Sequence, residues 1–182
     1  MSQSVQTAMT DENRGGRLRQ FQDRLDERLQ KADVHPQAAR LGLQIGETRL
    51  LVSLAQAGQI LPVPRMITPV PLARDWLLGL VNLNGKSFAV SDLQRFLGGP
   101  GSRLTKESRL LAFGPALELD AALLVTRMLG LHETSAWVVS EQGAVDAEGF
   151  IGRTLVDPDG TTWQELDLAA LAGDEKFLAA AR

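Results

Sequence analysis

The sequence predicts a mainly β protein, two small antiparallel β units with helices at the ends. Three observations carry this reading. From Leu41 onward the apolar residues come in short runs broken by turn residues rather than at helical spacing. Asn84-Gly85 stands between two such runs, the strongest short-range signal for a two-residue β-hairpin. Helical periodicity is confined to the two ends of the chain.

Composition narrows the function classes. At 182 residues, with 44% hydrophobic and 23% charged content, the chain can bury the core of one domain or two subdomains. A net charge of −3 gives no electrostatic reason to expect nucleic acid or an anionic membrane as partner. With no cysteine, disulfides, thiolate metal ligands and a thiol nucleophile are excluded. Residues 1–12 lack the apolar stretch of a secretory signal. No apolar run approaches the roughly 20 residues that span a bilayer. The expectation is a soluble cytoplasmic protein.

Taken in order, residues 1–16 are polar and glycine-containing and read as disordered. Over Arg17–Ala32, Leu18, Phe21, Leu25, Leu29 and Ala32 recur on one helical face, an amphipathic helix supported by the pairs Arg19/Asp23 and Glu27/Lys31. His35-Pro36 ends it, because the residue before proline avoids the α region. Residues 1–40 therefore stand apart from a β domain over 41–182. Leu41–Ile45 and Thr48–Leu54 read as strands joined at Gly46-Glu47, followed by Gln59–Pro62. Prolines 62, 64, 69 and 71 make Pro62–Pro71 an extended edge or loop. Leu77–Leu83 and Ser87–Asp92 form the hairpin, and Leu93–Leu97 one helical turn. Gly98-Gly-Pro-Gly-Ser102 stops that turn, so the break between the two β units is placed near 98–107.

Beyond it, Arg109–Phe113, Leu119–Thr126, Met128–His132 and Ala136–Val139 read as strands, then Ser140–Gly149 as a polar loop. Asp157-Pro-Asp-Gly160 is a turn leading into Thr161–Leu166. Asp167 caps a short helix through Leu171, and Asp174 caps Glu175–Ala181.

The hairpin turn fixes a register. Both central residues of a type I′ turn take positive φ, which Asn tolerates and Gly adopts freely. Asn84-Gly85 then pairs Leu83 with Lys86, Val81 with Phe88 and Gly79 with Val90 on one face, which reads as core. Asn82 with Ser87, Leu80 with Ala89, and Leu78 with Ser91 share the other face. Leu78 and Leu80 there form either a docking ridge or a surface covered by Pro62–Pro71 or by the N-terminal helix.

Catalytic patterns are absent. His35 precedes a proline and His132 ends a strand, and both read as surface histidines without a base or metal partner. Asp157-x-Asp159-Gly160 lacks the glycine and glutamate positions of a calcium loop. No phosphate loop, nucleophile elbow or dinucleotide fingerprint occurs, so no enzyme activity, cofactor or metal is expected.

Gly79-Leu-Val-Asn82-Leu83-Asn84-Gly85, followed by Phe88-Ala-Val90-Ser-Asp92-Leu93, resembles the signature hairpin of CheW-like coupling proteins. That family carries G-x-x-N-L-R-G and then a P-[VI]-x-D-L-like ending. The resemblance takes in Ile67-Thr-Pro-Val-Pro71, Arg109–His132 and Leu166-Asp-Leu168, covering about 41–172. The two chain ends are similar to the family branch that serves type IV pili and twitching motility. The resemblance implies two SH3-like five-stranded antiparallel β-barrels and a non-catalytic adaptor. Its partners would be the regulatory domain of a CheA-type histidine kinase and the tip of a methyl-accepting chemoreceptor. It assigns Leu78 and Leu80 to the kinase, and Gln59, Asn82, Asn84, Val125 and Thr126 to the receptor. Three departures from the family pattern accompany it. Asn84 replaces the family's turn arginine, Gln59 a common acidic residue, and Val125-Thr126 a Val-Asp pair. The alternatives are an adaptor of flagellar chemotaxis and a small β-barrel subunit of an unrelated assembly.

Overall fold

Two apolar runs, Leu110-Leu-Ala-Phe113 and Ala121-Ala-Leu-Leu-Val125, are too continuous for strands with one wet face. In the computed structural model, which describes residues 38–141 and 149–180, both runs are strands buried on both sides. The expected disorder over 1–16, the helix over Arg17–Ala32, and most of the loop Ser140–Gly149 lie outside the described residues. The chain divides into two units, Met1–Gln37 and Ala38–Arg182.

The second unit contains β1 (Ala39–Ile45), β2 (Thr48–Ser53), β3 (Ala57–Pro62), β4 (Leu77–Leu83), β5 (Lys86–Ser91) and α1 (Leu93–Phe96). These are followed by β6 (Arg109–Phe113), β7 (Ala121–Val125), β8 (Arg127–Glu133), β9 (Val138–Ser140), β10 (Ile151–Val156) and β11 (Thr162–Leu166). Two short helices, α2 (Leu168–Ala172) and α3 (Glu175–Leu178), come last. The strands form two sheets, ordered β8-β1-β2-β11-β10-β9 and β3-β6-β7-β5-β4.

The fold is mainly β in two sheets, as expected, with two differences in detail. The sheets hold six and five strands, and each contains one parallel pair, β2 with β11 and β5 with β7. Parallel neighbours need long crossover connections, and the chain between Ser53 and Thr162, or between Ser91 and Ala121, supplies them. Strand β10 escapes a sequence reading because Gly152, Arg153 and Thr154 interrupt its apolar pattern where it bulges against β11.

The glycine-rich break near 98–107 does not separate the sheets. The five-stranded sheet draws β3, β4 and β5 from before it and β6 and β7 from after it, while the other sheet takes both ends of the unit. Asp92, only 1% exposed, shows why the break stays inside one sheet. Its carboxylate accepts the Gln94 N–H (3.0 Å) as N-cap of α1, and also the Ser102 N–H (2.7 Å) and hydroxyl (2.8 Å). The glycine-rich stretch is thereby folded back onto the start of α1.

Alternation along the strands distributes their side chains among three cores. Leu111, Phe113, Ala121, Leu123 and Val125 meet Leu41, Leu43, Ile45, Leu50 and Val52 in a central core between the sheets. Leu110, Ala112, Ala122 and Leu124 turn the other way and join Val81 and Val90. Beneath the six-stranded sheet, Leu51, Leu155 and Trp163 form the third core.

The hairpin has the expected turn and most of the expected register. Asn84 and Gly85 take φ of 53° and 83°, and Leu83↔Lys86, Val81↔Phe88 and Gly79↔Val90 pair as anticipated. One expectation fails at the far end. A bulge lets Leu77, not Leu78, face Ser91. The cause is Gly79, at φ 140°, whose missing side chain admits the Thr68 carbonyl against the strand. The extra residue turns Leu78 over to pack on the Val81/Val90 core. Leu78 therefore does not belong to the outer ridge.

This geometry separates two glycines. A β-branched side chain at Gly85 meets open space and only a strained φ, so Gly85→Val should cost about 1–3 kcal/mol. Gly79→Ala adds a collision with Thr68 backbone to its strain and should cost more, about 3–5 kcal/mol. Urea unfolding of both variants checks the order, and the reverse order would refute the bulge.

Candidate protein-interaction surface

The outer face of the hairpin is held open by its own edge. Residues 62–71 run beside β4 and make one bridge to it: the Thr68 N–H donates to Leu80 O (2.9 Å), and the Leu80 N–H to Thr68 O (2.7 Å). Ile67 enters the core with Val81, so this segment covers the strand edge and not the face. Leu80 remains 41% exposed, directly beside Val81 at 4%. Asn82 and Ser87 are exposed on the same face. The Asn82 Oδ1 accepts the Gly85 N–H (2.9 Å), so this side chain braces the turn.

A cleft of about 370 Å³ opens between β3 and the hairpin tip. Gln59 and Asn84 line it with Leu83, Lys86, Phe88 and Pro115. A bulge between Ala57 and Ile60 in the β3/β6 pairing sets Gln59 at this mouth. Phe88 and Leu83 continue inward to the Val81/Val90 core, so the cleft is the open end of that core. Lys86, the one charged lining residue, forms an ion pair with Asp120 (2.6 Å).

Gln59 and Asn84, far apart in sequence, are thus brought together. Val125 and Thr126 are not part of this cleft. Val125 is fully buried in the central core because β7 has no wet face, so it offers nothing to a partner. Thr126 is half-buried, and its hydroxyl accepts the Gly46 N–H (3.0 Å) while its own N–H donates to Gln44 O (2.9 Å). It ties β7 to the β1–β2 turn. Phe88, Leu83 and Pro115 were not anticipated as lining residues; the Val81/Phe88 register is the sequence signal that points to the first two.

His132 is not the surface histidine that the sequence suggests. Its ring packs on Trp163 (4.7 Å between centroids) and Trp137 (5.5 Å), over Gly42, where a side chain would collide with it. The Asp157 carboxylate accepts the Trp163 indole N–H (3.0 Å) and the N–H groups of Asp159 (3.0 Å) and Thr161 (2.8 Å). It builds a turn. Among the described residues no three His, Asp or Glu side chains are grouped to hold a metal ion, and no helix is long and apolar enough to cross a membrane.

The family model for the CheW-like domain matches residues 40–176. The chain belongs to the CheW-like domain family. Members of this family are non-catalytic coupling scaffolds of chemosensory systems. The chain is 29% identical over 102 residues to Protein PilI of Pseudomonas aeruginosa, an alignment covering 56% of each sequence. It thus spans little more than half the length of that curated relative. The crystal structure of the scaffolding protein TtCheW from Thermoanaerobacter tengcongensis superposes with a TM-score of 0.59 at 18% identity, covering 71% of this chain and 88% of that one. That likeness establishes the fold of the CheW-like domain described above.

Asp157 gives the domain a measurable acid limb. The Trp163 indole N–H, with the Thr161 and Asp159 amides, holds its carboxyl below the usual carboxylate range against the opposing effect of burial. A depressed folded pKa contributes stability above the unfolded value, near 3.9, and loses it as pH falls through the folded value. The stability gap between the parent and Asp157→Asn should therefore be widest near neutral pH and shrink below about pH 4. Thermal melts at several pH values check this; a gap independent of pH would refute the role of the charge.

Proposed function

We propose that this CheW-like chain couples a CheA-type histidine kinase to methyl-accepting chemoreceptors in the cytoplasm, within the chemosensory system that controls type IV pili and twitching motility. The observation that carries the reading is the family match over residues 40–176. The likeness to PilI supports the pilus branch over flagellar chemotaxis. The work is positional: the domain holds two partners in a fixed relation, and phosphotransfer belongs to the kinase. Leu80 on the outer hairpin face is the kinase contact, and Gln59 and Asn84 in the cleft are the receptor contacts. Asn82 and Thr126 act behind these surfaces, by holding the hairpin turn and the β1–β2 turn.

An apolar side chain on an open face is suited to docking because its burial needs no compensating hydrogen bond. An acid there costs little in the free protein and much in a complex, where its carboxylate is buried unpaired.

Two experiments test the reading. The purified protein should not hydrolyse ATP, yet should change the autophosphorylation of the cognate kinase when receptor is present. ATPase activity that survives purification, or a kinase indifferent to the protein, would overturn it. Leu80→Asp should keep the parental melting temperature within the range of an exposed change, about ±0.5 kcal/mol, and lose kinase binding. Val81→Asp should unfold the domain, because the next residue points into the core. Normal kinase binding by Leu80→Asp would remove the hairpin face from the interface.

A further inference from the structure

We infer that Leu72 is an anchor of the kinase contact, a side chain held out on a strained turn so that it enters an apolar socket with a carboxylate at its rim. The inference rests on the adaptor reading and deepens its kinase arm.

Exposure alone does not single Leu72 out, since scattered apolar side chains on a surface are ordinary. Its backbone does. Val70-Pro71-Leu72-Ala73 is a turn closed by the Ala73 N–H, which donates to Val70 O (3.4 Å). Proline stands second in it, and the third residue, Leu72, takes a φ of 59°. This is the type II pattern, whose third position ordinarily holds Gly or Asn because they reach positive φ cheaply. Among the described residues three that are not glycine take positive φ, Leu72, Asn84 and Glu118, and Leu72 is the apolar one. It is also 82% exposed. In the free domain leucine is therefore unfavourable here twice over: the turn strains its Cβ, and its side chain buries little in return. A departure from local turn chemistry with no gain in the folded chain is accounted for by a contact made elsewhere.

The strain has no room to relax, because both ends of the turn are fixed. Upstream, Thr68 is bridged to Leu80 on β4, and Ile67 enters the Val81/Val90 core. Downstream, the Arg74 N–H donates to Ala180 O (2.7 Å) and the Leu77 N–H to Arg74 O (3.1 Å). Leu72 is thus presented in place, and a partner that takes it gains the burial of a leucine without first ordering a loop.

The same segment indicates the partner. It leads from the bridge beside Leu80, the residue assigned to the kinase, so Leu72 extends that contact along the β4 edge of the five-stranded sheet. Two residues on, the exposed Arg74 lays its guanidinium over the Trp76 ring (5.8 Å) and has no carboxylate partner among the described residues. A cation without a counter-charge beside an apolar anchor matches an acidic group at the rim of the partner's socket.

The test is calorimetric titration of the full chain with the cognate kinase, alongside thermal melts. Leu72→Asn keeps the turn and removes the anchor. It should raise the melting temperature by about 2–4 °C, because asparagine tolerates positive φ, and weaken kinase binding by about tenfold or more. Raising salt from about 0.1 M to about 1 M shortens the screening length from about 10 Å to about 3 Å. The parental complex should weaken by at least about threefold across that range, and Arg74→Gln should remove most of the dependence. A lowered melting temperature in Leu72→Asn would mean that the leucine already packs within the free domain. Parental kinase affinity in that variant, or a salt dependence that is absent or untouched by Arg74→Gln, would remove the contact. An effect confined to receptor binding or to self-association would give the anchor to another partner. Each of these outcomes overturns the inference and leaves the adaptor reading standing. A kinase that does not bind the parental chain at any salt overturns that reading, and the inference with it.

Discussion

The structure depends on strands that serve two cores at once. β6 and β7 have no solvent face: Leu111 and Leu123 enter the central core while their neighbours Leu110 and Leu124 enter the core behind the hairpin. β2 does the same on the other side, with Leu50 and Val52 inward and Leu51 toward Trp163. A leucine truncated in such a layer costs about 2–5 kcal/mol, a large share of the stability of an ordinary domain. Because the central core is common to both sheets, neither sheet can shift without disturbing the other.

The C-terminal helices close this arrangement from one end. Asp167 accepts the Ala169 (2.9 Å) and Ala170 (3.1 Å) N–H groups and is itself approached by the Gln56 amide (2.9 Å), whose oxygen takes the Leu168 N–H (3.0 Å). One glutamine between β2 and β3 thus ties the first sheet's hairpin to α2. Phe177 of α3 stacks on Phe113 (6.1 Å) and meets Phe96 edge-on (5.3 Å). The last residues of the described chain therefore pack into the same core as the first strands.

The legibility of this fold in the sequence follows the range of the interactions concerned. The hairpin register could be read because an Asn-Gly turn is a local constraint, and one local constraint sets every pairing up to the first bulge. The helix caps Asp167 and Asp174 were legible for the same reason, whereas the cap at Asp92 was not read. What could not be read was set by contacts distant in sequence. The bulge at Gly79 exists because Thr68 approaches there, and it reverses Leu78. The continuous apolar run of β7 fits a buried strand, yet only the second sheet shows that Val125 has no exit to solvent. His132 gives no local sign that two tryptophans from other segments surround it. The candidate site divides in the same way: Leu80 and Asn84 were legible from the turn, whereas the meeting of Asn84 with Gln59 needed the sheet to curl.

The two candidate contacts share one rigid element, which bears on how a passive scaffold could transmit a signal. Leu80 lies on the outer face of β4, and Asn84 at the tip of the same hairpin, four residues further along. The outer face is fixed by Val81 and Val90 packing beneath it, and the tip by the Asn82–Gly85 hydrogen bond. A displacement of the tip cannot be absorbed by slippage, since a one-residue slip would bury Leu80 and expose Val81. The cleft wall and the outer face are therefore parts of one hairpin held in a single register. Proteins that only bridge others need such stiffness between their contacts. Here it arises from hydrophobic register, with no bound ligand or chemical step required.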